Sequence, residues 1–301
     1  VIAAIFPGQG SQAVGMAQEF YRHSAAARQL LDQAEAALPG LLKLMWEGPA
    51  ETLQLTANQQ PALVAAGAAA YAAYREAGGA APSFAAGHSL GEFTAHVAAE
   101  SLELATAVRL VRQRGLYMQE AVPAGQGAMA AIMKVGREVV EQSCAETLGV
   151  VEVANLNHPE QTVISGEAKA VLAATERLQQ AGARVVPLKV SAPFHCRLMA
   201  PAAHRLAHDL AAVNFKPLAF PIVCNVTAEV LTDSSQASAL LLKQVTAPVR
   251  WVESVARLHA LGVRCFIEFG SGKVLSGLVS RIVPDAEVKA VVEMASLQEV
   301  L

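Results

Sequence analysis

Gly87-His88-Ser89-Leu90-Gly91 is a G-x-S-x-G pentapeptide that follows a short apolar run, Phe84-Ala85-Ala86, and precedes a helix-like stretch over residues 90–100. Strand, sharp turn and helix is the setting in which such a serine is pushed out of the fold and its hydroxyl presented as a nucleophile. A serine hydroxyl attacks poorly at neutral pH without a base, so the eight histidines come next. His195 is the strongest candidate, because it closes Ser191-Ala192-Pro193-Phe194-His195, a loop between a strand and a helix where functional side chains project. His88 adjoins the serine, but successive side chains diverge around a tight turn, which suits a supporting role. His96, His204, His208 and His259 fall in helical patterns, and His158 sits beside Pro159.

An α/β-hydrolase triad runs serine, acid, histidine along the chain. Here no aspartate lies between Ser89 and His195, and the glutamates there flank the elbow or lie in later elements. A neutral oxygen is therefore expected to orient His195. An imidazolium without a buried carboxylate activates water less well, which favours acyl transfer over hydrolysis. The loop Phe6-Pro7-Gly8-Gln9-Gly10-Ser11-Gln12 follows the first strand. Gly8-x-Gly10-x-x-Ala13 has the form of a relaxed dinucleotide fingerprint, but the acidic residue that should close a second strand is missing: Asp32 and Glu35 lie in a helical run, 25–38. Close backbone approach to a reacting centre is the better use of these glycines, with the N–H groups of Gln9 and Leu90 as an oxyanion hole. Gly270-Ser271-Gly272-Lys273 lacks the first glycine of a P-loop, since Ile267 stands there, and reads as a strand-to-helix turn.

Arg114 is the odd residue of a helical pattern over 103–120. Ala107, Leu110, Val111 and Met118 share its face, whereas Arg109 and Arg112 fall off it. A guanidinium on an apolar stripe needs a partner, and its planar fork matches a carboxylate. Two partners are open: an internal glutamate, or the carboxylate of a substrate.

The elements that must position these residues follow from periodicity. Strands are expected at 1–6, 84–86, 220–225, 265–269 and 288–292, with helical patterns between them, which implies a mostly parallel sheet covered on both faces. Residues 124–190 depart from that alternation. They read strand (129–135), helix (138–147), strand (150–155), strand (162–166), helix (169–181), strand (184–190), the β-α-β-β-α-β order of a ferredoxin-like unit. The expected organisation is a larger unit, 1–123 with 191–301, interrupted by a smaller one, 124–190.

With 301 residues, 53% hydrophobic and 16% charged, the chain can bury a large core. Its longest charge-free apolar stretch, 61–74, is shorter than the ~20 residues of a bilayer span and reads as a buried helix. The start of the sequence is strand-like and carries no secretory pattern, so a cytoplasmic location is expected. A net charge of -3 argues against a nucleic-acid or membrane surface. Cys144, Cys196, Cys224 and Cys265 are scattered without metal-ligand spacing, so no metal is expected.

Four motifs in order, Phe6-Pro-Gly-Gln-Gly-Ser-Gln12, Gly87-His-Ser-Leu-Gly-Glu92, Arg112-Gln-Arg-Gly115 with Met118-Gln-Glu120, and Ala192-Pro-Phe-His195, resemble the malonyl-CoA:acyl carrier protein transacylases. The resemblance extends over Asn155-Leu-Asn157, Gln244 in Lys243-Gln-Val-Thr-Ala-Pro248, Trp251 and Glu268-Phe-Gly-Ser-Gly272. It implies an α/β-hydrolase-like large domain with a ferredoxin-like small domain. It further implies that Ser89 is acylated, that His195 is base and then acid, and that Arg114 clamps the malonyl carboxylate. Gln9 and Leu90 supply the oxyanion N–H groups, the Gln244 carbonyl holds the His195 ring, and Asn155 and Asn157 line the cleft. Phe194 before His195 resembles the Phe-His pair of malonyl-selective members. The implied partners are malonyl-CoA and acyl carrier protein in fatty acid biosynthesis, with no cofactor beyond the coenzyme A thioester. A polyketide or malonate decarboxylase acyltransferase and an acyl hydrolase stay open as alternatives.

Overall fold

Ten strands run in the order β1 (Ile2–Phe6), β2 (Phe84–Gly87), β3 (Gly127–Met133), β4 (Val151–His158), β5 (Gln161–Glu167), β6 (Arg184–Pro187), β7 (Ile222–Val223), β8 (Val230–Leu231), β9 (Cys265–Phe269) and β10 (Glu287–Val291) among the described residues. This computed structural model describes residues 1–190 and 192–301. Ser191, which opens the expected His195 loop and the expected return to the larger unit, lies outside the described residues.

The larger sheet has the order β10-β9-β1-β2-β7-β8, parallel from β10 to β7, with β8 added as an antiparallel edge. In β1 the run from Ala3 to Phe6 is wholly buried, as expected for a strand covered on both faces. Phe6 pairs with Gly87, so β1 and β2 end together and their loops leave the sheet side by side. That is the carboxyl end of a parallel sheet, where such folds place their ligands. Three glycines let the loops touch. A Cβ on Gly8 would lie 2.5 Å from the His88 carbonyl oxygen, one on Gly91 2.0 Å from that of Phe6, and one on Gly87 1.9 Å from the Gly91 carbonyl carbon.

The smaller sheet, β4-β5-β3-β6, is antiparallel and carries the helices Arg137–Ala145 and Ala168–Gln180 on a core that includes Ile132, Val140, Ile164, Val171 and Leu178. It is the β-α-β-β-α-β arrangement read from the sequence. β4 is joined to the segment before Trp251: the Val249 N–H donates to the Ala154 carbonyl and the Leu156 N–H to the Val249 carbonyl, each at 2.9 Å.

The apolar stretch 61–74 is the heart of a 21-residue helix, Thr56–Glu76, which packs along Leu104–Glu120. The two backbones close up at Gly115, where a Cβ would fall 2.7 Å from the Ala57 Cα. None of the helices among the described residues is long and apolar enough to cross a membrane.

Three expectations shift. The strand expected at 220–225 contracts to Ile222–Val223, and the chain returns as β8, too short for a periodic signal. β4 runs on to His158 because two register irregularities absorb residues that break the alternation. β6 ends at Pro187, although the Leu188 N–H beyond it still donates to the Met129 carbonyl at 2.9 Å.

His96 is fully buried on the elbow helix Gly91–Ala98, with Nδ1 2.7 Å from the Ser101 hydroxyl and its ring against Phe215. Burial lowers its pKa to about 3. An unfolded chain takes up that proton near the ordinary value of 6.5, so the buried neutral ring contributes stability above that pH which is lost as pH falls toward 3. Thermal melts should therefore show wild-type protein losing stability relative to His96→Gln between about pH 7 and pH 5. A constant difference between the two proteins across that range would refute the assignment.

Candidate active site

Ser89 occupies the turn between β2 and the Gly91–Ala98 helix with φ +52°, a left-handed conformation unfavourable for a non-glycine residue. Asn225, just beyond β7, holds it there. Its Oδ1 accepts the Ser89 N–H at 2.7 Å, and its Nδ2 donates to the Gly87 carbonyl at 2.6 Å. An N–H on one side and a carbonyl on the other leave only one orientation for that amide.

The Ser89 Oγ lies 2.7 Å from His195 Nε2. On the far side of the ring, Nδ1 faces two carbonyl oxygens, Gln244 at 3.0 Å and Ala247 at 3.2 Å. Carbonyls only accept, so Nδ1 carries the proton and Nε2 presents its lone pair to the serine. Burial, reinforced by the charge of Arg114, pushes the His195 pKa down to about 3. The ring is thus neutral, and able to take a proton, throughout the physiological range.

Arg114 lies fully buried on the Leu104–Glu120 helix. Its Nη1 donates to Gln60 Oε1 at 2.8 Å, and its Nη2 to Gln244 Oε1 at 3.0 Å and to Ser89 Oγ at 3.1 Å. The guanidinium carbon sits 5.4 Å from the centre of the Phe93 ring. Glu92 is near enough to favour the charged form, but no carboxylate among the described residues pairs with this guanidinium, and its Nε has no partner. Burial lowers the pKa to about 10, which leaves the group charged at neutral pH. Of the two partners left open by the sequence, an internal ion pair is not what holds it.

Among the described residues the N–H groups of Gln9 and Leu90 have no hydrogen-bond partner, as donors kept for an oxyanion would. Ser89 opens onto a cleft of about 740 Å³ whose walls include Gln9, Met129, Asn155, Phe194 and His195. Asn157 faces His88 instead: its Oδ1 accepts from His88 Nε2 at 2.8 Å, and the His88 ring lies against Trp251. His204 and His208 are exposed on one helix, His259 pairs with Asp285, and His158 contacts Arg281. Cys196 is buried, with its thiol on the Pro193 carbonyl and its pKa raised by burial.

Four contributors escaped the sequence: Gln60, Glu92, Asn225 and the side-chain amide of Gln244. Gln60 carried a faint signal, a glutamine directly before the alanine-rich buried stretch. Glu92 stood inside the elbow motif. Asn225 and the Gln244 amide act only through tertiary contacts.

Comparison with known proteins gives the family. An acyl transferase domain model matches residues 4–295. A malonyl CoA-acyl carrier protein transacylase of Bacillus subtilis is 48% identical over 286 residues, covering 93% of this chain and 90% of that protein. The chain belongs to the malonyl-CoA:acyl carrier protein transacylase family. Among solved members of the family, an acyl carrier protein S-malonyltransferase from Vibrio cholerae superposes with a TM-score of 0.97 at 43% identity, covering 100% of this chain and 99% of that one. A malonyl transacylase solved in complex with a type II polyketide acyl carrier protein gives 0.96 at 41% identity, covering 100% of this chain and 98% of that one.

Removing the Asn225 amide leaves the Ser89 N–H and the Gly87 carbonyl unpaired in a buried elbow. Asn225→Ala should then lower the unfolding free energy by about 1–3 kcal/mol or more, the cost of stranding such a group. Denaturant titration checks this, and unchanged stability would mean that the amide does not clasp the elbow.

Proposed function

We propose that this chain moves a malonyl group from malonyl-CoA to the phosphopantetheine thiol of acyl carrier protein, through a malonyl ester on Ser89, for fatty acid biosynthesis. One observation carries the reading. A fully buried, charged Arg114 touches the nucleophile and is met by neutral amides instead of a carboxylate. It is a receptor for the anion of a substrate whose acyl carbon must sit on Ser89.

His195 takes the Ser89 proton as the hydroxyl attacks the thioester carbonyl, and the tetrahedral oxyanion is held by the Gln9 and Leu90 N–H groups. As the intermediate collapses, His195 returns the proton to the departing coenzyme A sulfur. The carrier thiol repeats the sequence in reverse roles, with the proton going to Ser89. Two acyl transfers through one site give ping-pong kinetics. Phe194 and Asn155 shape the acyl cleft, and Asn157 steadies its wall through His88. The cycle draws on no cofactor beyond the coenzyme A thioester.

We infer the same division of the chain as the sequence suggests. Residues 1–123 with 191–301 carry nucleophile, base and clamp, and 124–190 supply the wall that bears Met129 and Asn155. A cytoplasmic location goes with this reading and with four cysteines that form no disulfide. A polyketide carrier as the acceptor is a second form of the proposal, favoured by the complex of the 41% identical relative. Hydrolysis is disfavoured by the neutral oxygens behind His195, which stabilise an imidazolium less than a carboxylate does.

Intact-mass analysis after mixing with malonyl-CoA, then with carrier protein, should show malonyl mass gained and discharged. Ser89→Ala should gain none, and His195→Ala should acylate ~10²–10⁴-fold more slowly. A malonyl adduct on the Ser89→Ala protein would remove Ser89 as nucleophile.

Arg114 separates acyl groups. Losing one side of a desolvated charge pair costs ~2–5 kcal/mol, so Arg114→Ala should lower kcat/KM for malonyl transfer by ~30- to several-thousand-fold. Acetyl transfer, with no carboxylate to bind, should fall far less. Equal losses for both acyl groups in folded protein would make Arg114 structural.

A further inference from the structure

Glu92 is 1% exposed in the first turn of the helix that follows Ser89. Its Oε2 accepts from Gln244 Nε2 at 2.7 Å and from the Asn225 backbone N–H at 3.1 Å. Both partners come from the far end of the chain, and both bear on the reaction. Gln244 gives its backbone carbonyl to His195 and its Oε1 to Arg114, while its Nε2 also reaches the Ser89 carbonyl at 3.1 Å. Asn225 clasps the elbow from both sides.

A carboxylate oxygen can only accept and a guanidinium can only donate, so a glutamine between the two has one possible orientation. We propose that Glu92 is a positioning residue for acyl transfer: by accepting from the Gln244 amide it turns Oε1 toward Arg114 and holds the carboxylate clamp in register with Ser89 and His195. With that acceptor removed, the Gln244 Nε2 keeps only its longer contacts to the Ser89 carbonyl at 3.1 Å and to Asn225 Oδ1 at 3.4 Å, and the hold of its Oε1 on Arg114, on the side nearest the nucleophile, loosens. Burial pushes the Glu92 pKa up to about 7, against the N–H of Asn225, the Gln244 amide, the Cys224 thiol and the charge of Arg114. Either protonation state keeps an oxygen able to accept, so the arrangement requires the acceptor and not the charge.

This inference rests on the malonyl-transfer reading, and the experiment separates the two. Wild type, Glu92→Leu and Glu92→Gln are compared for malonyl and acetyl transfer, with kcat and KM resolved and melting temperatures recorded. Glu92→Leu should raise KM for malonyl-CoA and lower the malonyl-to-acetyl ratio of kcat/KM by ~10-fold or more, the scale expected for a lost hydrogen bond to a charged group. Glu92→Gln keeps an acceptor oxygen at the same reach and should restore most of that ratio. If Glu92→Leu does not fold, Gln244→Met, which keeps length and removes the amide, should show the same loss of ratio. An unchanged ratio in a folded Glu92→Leu or Gln244→Met protein would overturn the proposal, as would a Glu92→Gln protein no better than Glu92→Leu. Wild-type protein that gains no malonyl mass would instead overturn the function on which it rests.

Discussion

A guanidinium taken out of water without a counter-ion is costly, by several kcal/mol after relaxation, and the organisation of this site follows from keeping one there. Arg114 is held by amide oxygens from Gln60 and Gln244, by the Ser89 hydroxyl and by the face of Phe93. Oxygens of neutral groups solvate the cation without neutralising it. The helix that carries it can approach the Thr56–Glu76 helix closely enough to meet Gln60 because Gly115 has no side chain at the contact. Packing between two helices thus sets an electrostatic property: a positive charge beside the Ser89 hydroxyl that no carboxylate among the described residues pairs with.

The backbone imposes a second constraint, at the end of the sheet. β1 and β2 stop in register at Phe6 and Gly87, and two glycine-bearing loops press together there. This brings the backbone at Gly8, next to Gln9, against the His88 carbonyl, although the two loops are distant in sequence. The strained Ser89 persists because Asn225 closes both sides of the turn. Local strain is stored where tertiary contacts overdetermine it.

Much of this was legible from the sequence, for reasons that differ by residue. Ser89 could be read because the elbow motif is contiguous in sequence, although only Gly87 is demanded by near neighbours, Gly91 and Glu92, while Gly91 is demanded by the distant Phe6 carbonyl. Arg114 could be read because helical periodicity exposes one charge on an apolar face. The ferredoxin-like unit followed from alternating periods over a continuous stretch. β8 was not legible, since two residues show no period. The amide network was not legible either, because Asn225 and Gln244 acquire meaning only when folding brings them against Glu92, over 130 residues away in one case and over 150 in the other. The missing acid behind His195 was visible as an absence, but the Ala247 carbonyl that shares its place was not.

On the malonyl-transfer reading, the charge proposed to bind the substrate also acts on the base. In the free site Arg114 donates to Ser89 Oγ, and burial, reinforced by the Arg114 charge, holds the His195 pKa down to about 3. The donor on Oγ occupies one of its two lone pairs and draws electron density from the attacking oxygen, and the depressed pKa makes the imidazole a weak base. A malonyl carboxylate that takes the guanidinium fork draws the donor from Oγ and cancels the positive charge felt by the ring. His195 then becomes more basic at the moment the thioester is in place, while staying acidic enough as an imidazolium to return the proton to a leaving thiolate. Acetyl-CoA and water bring no such charge, so they meet the site in its less basic state. The neutral carbonyls behind His195 belong to the same logic: a buried carboxylate there would keep the ring basic with or without substrate, and would remove the dependence on the acyl group that Arg114 creates.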